Sequence, residues 1–313
     1  IMSKAVYVTG CLGFIGYHLT KKCLENDWHV FGIDKQTYAS NIQLLDELKT
    51  YQKFKYSCLD INDIQRIHDC DYFINTAAET HVDNSIKCSN EFVQSNIDGV
   101  HNILKLLQSK KQKPIFLHFS TDEVYGDIDV GSFSEKQLLK PSNPYSATKA
   151  AADMLILAWA RTFKLPYVIV RPTNNYGTGQ YVEKLIPKAI KYLSLGRKII
   201  LHDKGLPKRT WLHVSDTVSA VMKIIETGKT NEIYNISGNY EEQNIVIARK
   251  ILYNYGILND EEKWIDGNEK RLGQDVRYSV DDTKLKELGW NPEADFDSEL
   301  KTIVDYYKKN FVW

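Results

Sequence analysis

The chain has 313 residues, 43% hydrophobic and 26% charged, apolar enough for one large core or two coupled ones, which sets disorder aside. Forty basic residues balance forty acidic ones, so no net field draws it to nucleic acid or to an anionic membrane, and a small partner is expected. The five cysteines, Cys11, Cys23, Cys58, Cys70 and Cys88, are odd in number and lack zinc-type spacing, which argues against a disulfide framework or a metal.

The chain opens on a strand-like run, with no signal core before it and no segment of membrane-spanning length, so a soluble, cytoplasmic protein is expected. Short β-branched or aromatic runs then alternate with helical patterns: AVYVTG, HVFGID, KYSCLDI, DYFINTAA, IFLHFS and PYVIVRP. That alternation predicts a parallel sheet covered on both faces. After Pro172 the rhythm loosens into a helix at LIPKAIKYLSLG, a strand at KIILHD, a further helix, a strand at EIYNIS and a final helix with a tail at KKNFVW. The expected class is α/β: a doubly wound parallel Rossmann sheet over residues 1–172, then a smaller C-terminal α/β substrate-binding lobe over residues 173–313, with segments crossing between them.

VYVTGCLGFIGYHL places Gly10, Gly13 and Gly16 between the first strand and a helix. Glycines there allow a tight turn, close approach of a pyrophosphate to the helix N-terminus, and close helix packing. The second strand ends at Asp34, where a carboxylate accepts hydrogen bonds from ribose hydroxyls and repels a ribose phosphate, favouring NAD over NADP. Asp60, after the third strand, reads equally as an adenine contact or a turn-capping aspartate.

IFLHF runs into Ser120, Thr121 and an acidic pair, Asp122 and Glu123, at a strand end where a wound sheet gathers ligands. NPYSATKAAAD then opens a helix with Tyr145 and Lys149 four residues apart, on one face. A neighbouring ammonium favours phenolate, which suits alcohol oxidation.

These motifs, with NTAAETHVDNS, RPTNNYG, EKLIP, GLPKRTWLHVSD, RLGQDVRY and LKELGW, resemble the extended short-chain dehydrogenase/reductases, specifically the nucleotide-sugar 4,6-dehydratases, over nearly the whole chain. The resemblance implies oxidation of the glucose C4 hydroxyl by bound NAD, loss of the C5 proton and C6 hydroxyl as water, and return of the hydride to C6. Tyr145 would then be the C4 base, supported by Lys149. Glu123 would be the C5 base and Asp122 the C6 acid, with Thr121 holding the C4 oxygen. It assigns Phe14 and Ile15 to the pyrophosphate loop, Asp34 and Lys35 to the adenosine end, Asp60 and Ile61 to adenine, and Ala77, Ala78, Ser95 and Asn175 to the rest of the NAD site. His81, Asn174, Lys184 and Leu185 match substrate contacts, and Arg209, Asn244 and Arg277 would hold the diphosphate. The resemblance further implies a homodimer built on a helix bundle.

Cys11 and Leu12 replace the smaller Gly-Ala usual in the family's phosphate loop, and RLGQDVRY lacks the Pro and His of the common bacterial form, so Gln274 inherits no role. DKQTYASN, HDKGLPKRTWLH and VDYYKKNFVW are closer to the eukaryotic-type branch that includes UDP-glucose enzymes of rhamnose synthesis. UDP-glucose is therefore expected as substrate, with dTDP-glucose as the alternative. Epimerases and decarboxylases of the same superfamily are less similar at Thr121, Asp122 and Glu123.

Overall fold

The computed structural model describes residues 3–310, so the end of the expected tail, Phe311, Val312 and Trp313, lies outside the described residues. The six apolar runs form β1 (Ala5–Thr9), β2 (His29–Asp34), β3 (Phe54–Cys58), β4 (Tyr72–Asn75), β5 (Ile115–Phe119) and β6 (Tyr167–Pro172). After them come β7 (Asn174–Tyr176), β8 (Ile199–His202), β9 (Lys208–His213), β10 (Glu232–Ile236), β11 (Tyr240–Gln243) and β12 (Ile265–Glu269).

A seven-stranded parallel sheet has the order β10-β6-β5-β4-β1-β2-β3. Alternation along each strand feeds two cores. Val6, Val8, Val30, Leu117, Val168 and Val170 join residues of the helices Phe14–Glu25 and Val214–Thr227. Tyr7, Ile33, Phe73, Phe116 and Ile169 join residues of the helices Gly99–Gln108 and Pro144–Phe163 on the other face. Each such side chain contributes roughly 1.5–3 kcal/mol by burial, which is why these runs cannot stay in loops.

The strand order reverses at β1, between β2 and β4, and leaves a crevice beyond the carboxyl ends of the strands. The C-terminal residues form a three-stranded sheet, β11-β9-β7, and a β12-β8 pair. Around them the helices Leu185–Ser194, Asn244–Tyr255 and Phe296–Lys309 close over a third core that includes Tyr176, Trp211, Phe296 and Tyr307. One strand crosses back: β10 pairs in parallel with β6 and completes the large sheet. Among the described residues no helix is long and apolar enough to cross a membrane.

Candidate active site

The turn after β1 is shaped by what its glycines lack. Gly10 has φ +68°, a Cβ on it would lie 2.9 Å from the Ala77 nitrogen, and one on Gly16 would lie 2.0 Å from the Gly10 carbonyl. Cys11 is a packing residue beneath this turn. It is fully buried, its thiol is pushed far up by burial and the Asp34 charge, and its Sγ would lie 2.8 Å from a Cβ on Gly32. Leu12 lends its backbone, its N–H donating to Asp34 Oδ2 at 3.0 Å. Gln36 N and the Ser40 hydroxyl donate to Asp34 Oδ1 at 2.8 and 2.7 Å, so the carboxylate is fixed at the strand end.

Gly10, Gly13, Phe14, Ile15, Gly16, Asp34, Lys35, Asp60, Ile61, Ala77, Ala78, Ser95, Asn175, Tyr145 and Lys149 all line one cleft along this crevice. Lys35 and Asp60 form an ion pair at 3.2 Å. Ser95 enters the cleft from a π-helical turn, Gln94–Asp98, a local irregularity of the kind that re-aims side chains at sites. A cradle that any Cβ would fill, followed by a fixed carboxylate at the end of β2, fits a dinucleotide such as NAD.

At the end of β5 the chain turns through a short 3₁₀ helix, Asp122–Tyr125, capped by Thr121. The Thr121 hydroxyl accepts from Glu123 N at 3.3 Å and donates to Asp122 Oδ1 at 3.1 Å. Asp122 Oδ2 is buried without a partner. Burial first, then the Glu123 charge, push the Asp122 carboxyl up to about 7, so it holds a proton near neutrality. Burial also raises Glu123, while Arg209 and Lys184 pull it back. The Tyr278 hydroxyl donates to Glu123 Oε2 at 3.3 Å. Two adjacent carboxyls thus differ in environment, as a paired acid and base require.

The facing helix, Pro144–Phe163, begins with a capping box: Asn143 Oδ1 accepts from Ser146 N at 2.9 Å, and Pro144 takes the first turn. This start fixes Tyr145, whose backbone N–H donates to Ser85 Oγ at 3.2 Å. The Tyr145 phenol is pushed up by burial and by Glu123, with the Thr121 hydroxyl opposing. Lys149, 3% exposed, donates to the Phe119 carbonyl at 2.6 Å, and burial lowers it to about 8 against the pull of Asp153.

A second chamber adjoins the cleft and shares Glu123, Asn174 and Lys184 with it. His81, Leu185, Arg209 and Asn244 line it, and His81 Nδ1 and Asn244 Oδ1 are buried without partners. Lys184 Nζ donates to the Thr80 carbonyl and hydroxyl, each at 3.1 Å. Arg209 lies 4.4 Å over the Tyr278 ring and donates to the Asp275 carbonyl at 3.0 Å.

Arg277 has other partners. It lines neither space; its Nε donates to both Glu241 oxygens, at 3.1 and 3.0 Å, and its Nη1 to the Gly131 carbonyl at 2.9 Å. The bridge between Lys208 and Arg277 places it beside β11, where Glu241 takes the guanidinium. Arg271, earlier in the same RLGQDVRY stretch, faces the chamber with Gln274, as do Lys188, Asn143 and Tyr278. Arg271 pairs with Asp83 and donates to Gln274 Oε1 at 3.3 Å. No signal in the sequence alone singles out Arg271; the stretch turns at Gly273, with φ +63°.

Comparison with known proteins gives a consistent result. The profile of the GDP-mannose 4,6 dehydratase family matches residues 7–303. A trifunctional UDP-glucose 4,6-dehydratase/UDP-4-keto-6-deoxy-D-glucose 3,5-epimerase/UDP-4-keto-L-rhamnose-reductase of Arabidopsis thaliana is 37% identical over 99% of this chain, which spans only 48% of that protein. The chain therefore spans about half the length of this curated relative. A dTDP-glucose 4,6-dehydratase of Haemophilus influenzae is 36% identical, covering 97% of this chain and 98% of the relative. The crystal structure of DesIV, a dTDP-glucose 4,6-dehydratase from Streptomyces venezuelae with NAD bound, superposes with a TM-score of 0.93 at 33% identity, over 98% of this chain and 97% of that one.

Proposed function

The chain belongs to the nucleotide-sugar 4,6-dehydratases of the extended short-chain dehydrogenase/reductases, and from that premise we propose that it converts UDP-glucose to UDP-4-keto-6-deoxyglucose with NAD recycled in each turnover. The observation that carries the reading is the buried turn of Thr121, Asp122 and Glu123 at the junction of cleft and chamber, with Tyr145 and Lys149 lining the same cleft.

NAD supplies the acceptor for the C4 hydride and its return to C6. Tyr145 takes the C4 hydroxyl proton, its phenolate favoured by the Lys149 ammonium, while Thr121 holds the C4 oxygen. The new ketone acidifies C5; Glu123 removes that proton, and Asp122 delivers its own to the C6 hydroxyl, which leaves as water. Asp122 is suited to the donor role because it retains a proton near pH 7.

Residues 1–172 mainly hold NAD and residues 173–313 mainly hold the nucleotide sugar. Phe14, Ile15, Lys35, Ile61, Ala77, Ala78, Ser95 and Asn175 serve the cofactor with the glycines, Asp34 and Asp60. His81, Asn174, Lys184, Leu185, Arg209 and Asn244 serve the sugar nucleotide, and Arg209 with Arg271 supplies the cations that a diphosphate needs. UDP is favoured over dTDP by the motifs shared with the eukaryotic-type branch and by the likeness to the Arabidopsis protein over 99% of the chain. The working unit is a cytoplasmic homodimer; Met154, 50% exposed, and the exposed Ala147 and Ala158 share one side of the helix Pro144–Phe163 and support an assembly face there.

Incubation with UDP-glucose and, separately, dTDP-glucose tests this by mass spectrometry. Loss of one water from the UDP sugar supports the reading, loss from the dTDP sugar alone moves the substrate to dTDP-glucose, and an unchanged mass with inverted C4 points to an epimerase. In single turnovers, Glu123→Gln is expected to slow elimination about 10²-fold or more while oxidation at C4 falls far less.

A further inference from the structure

Next to Tyr145 and Lys149 lies a set of charged groups that the steps above do not use. Asp153 stands one helical turn after Lys149 and is 0% exposed. Its Oδ2 accepts from Ser120 Oγ at 3.0 Å, from Arg171 Nε at 3.0 Å and from Arg171 Nη2 at 2.9 Å. Its Oδ1 is buried and has no hydrogen-bond partner. Arg171, 1% exposed, reaches on from Nη1 to the Tyr125 hydroxyl at 2.7 Å, and that hydroxyl donates to Asn235 Oδ1 at 2.8 Å. Ser120 immediately precedes Thr121, and Tyr125 follows Glu123 by two residues. One buried ion pair therefore anchors both ends of the acidic turn and the helix that carries Lys149.

From β5 the other group facing Lys149 is His118, with Nε2 at 3.5 Å. Ala77 N donates to the Thr9 hydroxyl at 3.4 Å, and that hydroxyl donates to Asn75 Oδ1 at 2.6 Å. The Asn75 amide lies 3.1 Å from His118 Nδ1 and fixes the ring beside the lysine. Burial and the Lys149 charge keep His118 neutral. The ammonium donates to the Phe119 carbonyl, and Asp153, one helical turn on, supplies the negative charge that favours its protonated form.

We infer that Asp153 is a positioning residue of the oxidation step: anchored by Arg171 and Ser120, its carboxylate keeps Lys149 protonated beside Tyr145 and holds that pair in register with the turn of Thr121, Asp122 and Glu123. A buried pair need not stabilise the fold to serve this purpose. The inference rests on the reading of Tyr145 and Lys149 as the oxidation pair.

Asp153→Asn keeps the shape and removes the charge. Lysine labelled with ¹³C at Cε, with Lys149 assigned by Lys149→Met, reports its titration by NMR without substrate. The proton affinity of Lys149 is expected to fall about tenfold or more, one pKa unit being a factor of ten. In single-turnover absorbance, the alkaline limb of C4 oxidation should move down with it. The rate would then be about tenfold lower above pH 8 and close to wild type below about pH 7. Asp153→Glu should restore the limb. An unmoved Lys149 titration, or a rate loss equal at every pH, overturns the inference. Should Asp153→Asn fail to fold, Asp153→Glu decides: a wild-type limb supports the inference, and a displaced one despite the retained charge sinks it. If the wild-type protein turns over neither sugar, the proposed function fails, while the NMR titration still decides the role of Asp153.

Discussion

Asp122 has one carboxyl oxygen against the Thr121 hydroxyl and the other buried without a partner. With its folded pKa pushed up to about 7 by burial and Glu123, the folded chain keeps a proton that the unfolded chain has lost above about pH 4. Wild-type stability therefore falls as pH rises from about 4 through 7, and the loss levels off above that. Asp122→Asn, which cannot ionise, should be roughly 2–4 kcal/mol more stable than wild type at pH 8 and gain much less at pH 5. Thermal unfolding at the two pH values checks this. The same substitution removes the proton donor, so elimination should drop about 10²-fold or more. Dehydration by the wild-type protein should itself weaken as pH rises through 7, because the donating form disappears. That this acid and its neighbour matter was legible from their place at a strand end, and the resemblance assigned Asp122 as the acid; the burial that raises its carboxyl was not legible. The surroundings of Glu123 include Lys184 and Arg209, brought to it from far along the chain.

The helix Pro144–Phe163 shows how one element serves both stability and the site. Its capping box satisfies backbone donors that otherwise point into the buried mouth of the chamber, and Tyr145 is its second residue. Asn143→Ala should cost about 1 kcal/mol, seen as a melting point lower by roughly 2 °C, and Asn143→Ser should recover most of it because serine caps nearly as well. No recovery would mean that Asn143 acts through chamber contacts and not as a cap. Elements of this kind were readable in advance, because apolar runs, the glycine turn and the Asn-Pro start are local signals. The short strands β7, β9, β11 and β12 were not, since each is defined by a partner distant in sequence. The partners of Arg277 were not legible for the same reason. It stands six positions after Arg271, and the pairing of Glu241 with Arg277 leaves the Arg271 guanidinium to face the chamber.

At the scale of the molecule, the NAD cleft is not the property of the first 172 residues alone. β10 pairs with β6 over Glu232–Ile236, and the helix Val214–Thr227 covers the face that includes Val168 and Val170. Asn235, on β10, closes the network that begins at Asp153, taking the Tyr125 hydroxyl and donating to the carbonyls of Phe133 and Asp281. Removing residues 173–313 would open β6 as a bare edge, uncover one apolar face and leave the Asp153–Arg171 pair, now 0% and 1% exposed in its side chains, at a ragged boundary. Loss of even a few fully buried valines and leucines, at roughly 1.5–3 kcal/mol each, is comparable with the 5–15 kcal/mol that holds a typical domain folded. A chain ending at Pro172 is therefore expected to be aggregated or molten, with far-ultraviolet dichroism retained, near-ultraviolet dichroism lost and no bound NAD after gel filtration. The chain of 313 residues should show near-ultraviolet structure and retain NAD under the same conditions. A soluble, cooperatively melting 1–172 fragment that keeps NAD would show instead that β10 and its covering helix are accessories, and that the cleft is built by the first six strands alone.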